Sequence, residues 1–97
     1  MATLHLIDKS PARSDALAAC LRVIAADDAL LLIEDGVYAA VAGSTAAATL
    51  PGHTTHALGA DVSARGLQRR LAREVKVIDE SGFVELALHC DRVMSWF

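Results

Sequence analysis

Leu30-Leu31-Leu32-Ile33 is an unbroken apolar run closed by Glu34-Asp35-Gly36. Successive strand side chains point to opposite faces, so such a run fits a strand covered by helices on both sides, as in a parallel sheet. A second short run, Leu4 to Ile7, ends at Asp8-Lys9-Ser10-Pro11. It reads as a strand delivering the chain into a helix, with Ser10 able to cap and Pro11 suited to the first helical position. Ala16, Leu17, Cys20, Leu21, Val23 and Ile24 then recur on one broad helical face.

The alternation continues. Val37 to Ala42 has the alanine content of a short helix, and Gly43 is placed to end it. Thr45 to His56, with Pro51-Gly52, is the least regular stretch. Thr55 to Gly59 reads as a third strand, and Asp61 as the cap of a segment from Val62 to Arg73 that Gly66 interrupts. Val75 to Ile78 makes a fourth strand. Asp79 or Ser81 caps a last helix whose Phe83, Leu86, Ala87, Cys90 and Met94 share a face. Strands alternating with helices, without a hairpin signal, predict a single-domain three-layer α/β/α sandwich over residues 1–97, with a mainly parallel sheet of four to five strands.

With 97 residues the chain has room for one core, and 54% hydrophobic residues are ample to fill it. A chain this short hides only about 60 to 70% of its unfolded surface, so an oligomer is expected. No apolar stretch approaches the ~20 residues of a membrane span. The opening residues Met1 to His5 lack the marks of an export signal, which predicts a cytoplasmic protein with its cysteines as thiols. A net charge of -3 and 4% aromatic residues argue against direct nucleic-acid binding.

Sites in such a sheet form beyond the carboxyl ends of the strands, where Asp8, Asp35-Gly36, Gly59-Ala60-Asp61 and Asp79 should gather. No glycine-rich phosphate loop occupies that edge, so no nucleotide cofactor is expected; Asp8, Asp35 and Asp61 could still serve another small ligand. No Cys-x-x-Cys pair gives a metal or dithiol signature, and His53 and His56 on a strand would point to opposite faces. His5 reads as a hydrogen-bonded core histidine or a site residue. Arg65, Arg69 and Arg73, with Arg70 beside them, would form a basic stripe on a helix, either solvated or docking an acidic partner. Asp35 suits turn and cap chemistry or a subunit contact. Cys90 falls on the apolar stripe of the final helix and reads as core packing.

Three segments together resemble the TusB/DsrH family of small sulfur-relay subunits. They are Leu4-His5-Leu6-Ile7-Asp8-Lys9-Ser10-Pro11, Leu31-Leu32-Ile33-Glu34-Asp35-Gly36-Val37-Tyr38-Ala39-Ala40, and Leu58-Gly59-Ala60-Asp61-Val62-Ser63-Ala64-Arg65-Gly66. The tail from Asp79 to Phe97, with Gly82-Phe83-Val84 and Trp96, fits the same pattern, while Ser44 to His53 departs from it. The resemblance implies a DsrEFH-like fold and a cytoplasmic assembly with two related subunits, of DsrE/DsrF or TusD/TusC type. Such assemblies pass persulfide sulfur to or from a DsrC/TusE-like carrier, in sulfur oxidation or in tRNA 2-thiouridine synthesis. Tyr38 and Trp96, within the matched segments, join Asp35, Arg65 and Arg69 as interface candidates.

The resemblance also implies that a cysteine at the position of Cys20 marks the DsrH branch, and that the better-established carrier cysteine sits on the DsrE/TusD-type partner. Sulfur relay needs a reachable thiol of lowered pKa. Cys20 is the family-favoured catalytic candidate, but it lies on the apolar arc of its helix beside Leu17 and Ile24. Two readings stand: a sulfurtransferase subunit acting through a Cys20 persulfide, or a scaffold that positions a partner's reactive cysteine.

Overall fold

The computed structural model describes residues 2–97. Five strands, β1 (Thr3–Ile7), β2 (Ala29–Leu32), β3 (Thr54–Leu58), β4 (Lys76–Ile78) and β5 (Arg92–Trp96), form one sheet in the order β4-β3-β2-β1-β5. Every pairing is parallel. Three helices, α1 (Ala16–Leu21), α2 (Gly59–Ala64) and α3 (Glu80–His89), link the strands.

The register explains the continuous apolar runs. Leu6 lies beside Leu31 and Leu31 beside His56, while Ile7, Leu32 and Ala57 align on the opposite face. One face buries Ile7, Leu30 and Leu32 with Leu17 and Cys20 of α1 and Val62 of α2. The other buries Leu4, Leu6 and Leu31 against Phe83, Leu86 and Ala87 of α3. Both faces are therefore covered, giving the expected α/β/α layers.

β4 and β5 are consecutive in the chain but occupy opposite edges of the sheet. The connection must cross four strand intervals, roughly 19 Å at ~4.8 Å each, and a ten-residue helix supplies roughly 15 Å of it. α3 therefore covers its face alone. None of its residues is fully buried, and Val84 and Leu88 are 58% and 79% exposed.

Four expectations need correction. Ser10 and Pro11 open a turn, with the N–H groups of Arg13 and Ser14 donating to the Ser10 carbonyl, and α1 begins only at Ala16; Val23 lies outside it and is exposed. The alanine-rich segment after β2 is a 3-10 helix over Glu34–Ala40. α2 stops at Ala64, so no helix runs to Arg73. Gly66 adopts φ +66°, the Gly66 N–H donates to Ser63 and the Leu67 N–H to Val62, and Leu67 and Val62 are both buried. That is a Schellman ending, which only a glycine enters without strain. Finally, Met94 belongs to β5. Cys90 turns extended (φ -98°, ψ 149°), and the chain pairs with β1.

Candidate functional site

The 3-10 segment and α2 meet at the carboxyl end of the sheet. Gly36 lets the 3-10 segment lie against the end of β1: a Cβ there would lie 2.0 Å from the Ile7 carbonyl oxygen. The Ile33 N–H donates to that same oxygen at 2.9 Å. Glu34, at φ +49°, donates its N–H to Asp61 Oδ2 at 2.8 Å. Arg65, leaving α2, reaches across to Asp35 with Nε and Nη2 at 3.0 and 2.9 Å and donates to the Asp61 carbonyl at 3.2 Å. Both nitrogens converge on one oxygen of a carboxylate that is 57% exposed, so Arg65 links the 3-10 segment to α2 and orients it more than it stabilises the fold.

The remaining strand-end carboxylates do not join this clamp. Asp79 caps α3 by accepting from the Gly82 N–H at 2.8 Å. Asp8 has Oδ1 buried with no hydrogen-bond partner among the described residues and Oδ2 3.7 Å from Lys9 Nζ. Among the described residues no hydrogen bond connects Asp8 with Asp35 or Asp61, and no group of three or more His, Cys, Asp and Glu is disposed to hold a metal.

Cys20 lies inside the first core, fully buried among apolar side chains. Burial, followed by the nearby Asp28 charge, pushes its thiol up to about 11. At pH 7 roughly one molecule in ten thousand would carry the thiolate, the form that attacks a persulfide. Cys90 is half-buried, and burial with the charges of Asp28 and Asp91 also raises its pKa. An aromatic disulfide reagent is expected to modify Cys90 slowly in the native chain and Cys20 only at the rate of unfolding. Two thiols titrating together before unfolding would contradict that.

The best-built polar cluster of the interior was not visible in the sequence. Asp28, buried just before β2, accepts from the Thr3 N–H at 2.9 Å, the Ala25 N–H at 3.0 Å and His5 Nε2 at 2.9 Å. Trp96 Nε1 donates to His5 Nδ1 at 3.0 Å. An indole N–H can only donate, so Nδ1 accepts and the ring proton sits on Nε2, facing Asp28. The hydrogen bonds from Ala25 and His5, with a lesser one from Thr3, hold the Asp28 carboxyl down to about 2 despite its burial. His5 is thus a hydrogen-bonded core histidine. This relay ties β5, the edge strand, to β1 and the start of β2. Its one sequence cue is the Asp27-Asp28 pair ahead of an apolar strand, which reads as an ordinary turn. On the α3 side, burial lowers the pKa of His56, whose Nδ1 has no hydrogen-bond partner among the described residues.

The structure therefore brings Asp35 and Arg65 together and separates the other candidates. Tyr38 stands on the 3-10 segment, 39% exposed, and Arg69 lies exposed in the turn beyond α2. Trp96 points inward against the first core and His5. Cys20 packs under α1, apart from the clamp residues.

This architecture is a known one. The ychN protein from E. coli matches it with a TM-score of 0.80 over 98% of this chain and 99% of that one, at 18% identity. At that identity the likeness defines the fold. The sequence narrows it further: residues 9–93 match the family model described as DsrH like protein. Protein TusB of Sodalis glossinidius (strain morsitans) is 40% identical over 95 residues, covering 96% of this chain and 99% of that protein. Protein TusB of Escherichia coli O1:K1 / APEC is 38% identical over the same extent. The chain belongs to the DsrH/TusB family. The family model carries the DsrH name and these relatives carry the TusB name.

Proposed function

We propose that this chain is the scaffold subunit of a cytoplasmic sulfur-relay complex, holding a partner's reactive cysteine in place rather than carrying sulfur itself. Family membership supports the relay. One observation carries the scaffold assignment: Cys20 is sealed in the core with its pKa raised, the reverse of what transfer chemistry requires. The partners in this reading are two related subunits of DsrE/DsrF or TusD/TusC type and a DsrC/TusE-like carrier. The exposed Val84 and Leu88 of α3 supply apolar surface for such an assembly to cover. Asp35, Tyr38 and the Arg65 clamp shape a second, polar contact surface at the sheet end.

Replacing Cys20 with alanine in the assembled complex separates the two readings. Sulfur flux through the complex should stay within about twofold of the parent, with stability lower by about 1 kcal/mol for the lost packing. A loss of flux of tenfold or more in a complex that still assembles would return Cys20 to the transfer path.

A further inference from the structure

The far edge of the sheet carries a cleft that neither the clamp nor the buried relay uses. It opens beyond β3 and β4, holds about 890 Å³, and is walled by the starts of α2 and α3. Leu58, Val62, Val77 and Ile78 supply its apolar lining. Val77 is 54% exposed. Among the described residues, the charged side chains in the wall are the carboxylates of Asp79 and Glu80. Two glycines keep the walls close: a Cβ on Gly59 would come within 3.2 Å of Val77 Cγ1, and one on Gly82 within 3.0 Å of Ile78 Cβ. Among the described residues β4 pairs only with β3, and its outer side has no strand neighbour.

We infer that this cleft docks an extended segment of a partner protein that places an aliphatic side chain over Val77 beside a lysine or arginine facing Asp79 and Glu80. An open strand edge offers main-chain hydrogen bonds to an added strand, and an adjoining apolar pocket selects its side chains. The acidic wall selects the charge, because it would repel an acidic segment and attract a basic one. The inference does not depend on whether the chain carries sulfur.

The test titrates the isotope-labelled full chain with a blocked heptapeptide alternating valine and lysine, read by amide chemical shifts. Saturable shifts are expected at Ser63, Val77 and Gly82, and the same peptide with glutamate for lysine should bind at least tenfold more weakly. Val77→Lys, at an exposed position, and Glu80→Lys should each weaken the basic peptide at least fivefold while spectral dispersion confirms an intact fold. No saturable shift at millimolar peptide, equal binding of the acidic peptide, or unchanged binding by Val77→Lys would overturn the assignment. So would self-association in sedimentation that Val77→Lys abolishes, which would give the cleft to a second copy of this chain.

Discussion

Gly36→Ala is expected to destabilise the chain by about 3 kcal/mol or more, lowering Tm by roughly 15 °C or preventing soluble expression. The added Cβ would sit 2.0 Å from the Ile7 oxygen and 2.8 Å from the Ile7 carbonyl carbon. Backbone atoms cannot rotate away as a flexible side chain can. The end of β1 would have to part from the 3-10 segment, giving up the bond from Ile33 to Ile7. Gly43→Ala provides the contrast. Gly43 has φ +83° and nothing within 4 Å of the added carbon, so only local backbone strain of about 1 kcal/mol applies. Equal thermal shifts for the two variants would show that the close approach at Gly36 does not hold the site together.

Asp28→Ala should cost a similar amount, about 3 kcal/mol, because it leaves the N–H groups of Thr3 and Ala25 and the His5 ring without their acceptor. The pH dependence checks the cause. The Asp28 pKa is about 2 in the fold against an ordinary 3.8, so the folded state holds the ionised form more firmly than the unfolded state does. Its contribution is complete above about pH 4, disappears as pH falls toward 2, and amounts to about 2 kcal/mol. The parent should therefore lose stability between pH 4 and 2 more steeply than Asp28→Asn. Parallel curves through that window would remove Asp28 as the anchor. Trp96 is the single tryptophan, so its emission reports whether the bond to His5 survives in each variant.

Local pattern made four strands legible within a residue or two, since Leu4 to Ile7, Leu30 to Ile33, Thr55 to Gly59 and Val75 to Ile78 each lie close to an observed strand. β5 was hidden because Val93 and Met94 extend an apolar pattern that starts inside α3, and nothing local separates the helix from the strand that follows. The arginine spacing misled for a related reason. Period-four charges outweigh a single glycine in a pattern reading, whereas in the fold Gly66 ends α2 and leaves Arg65 to reach Asp35. The Asp28 relay was out of reach, since its partners on β1 stand 23 and 25 residues away. The apolar flanks of Cys20 already pointed to burial, but only the packing of α1 on the sheet decided its exposure.

As a scaffold, this chain would support sulfur transfer without taking part in it. Loading the assembled complex with a persulfide donor and weighing each intact subunit tests it most directly. An unchanged mass is expected for this chain while a partner gains a sulfur atom. A sulfur adduct on this chain that vanishes in Cys20→Ala would contradict it.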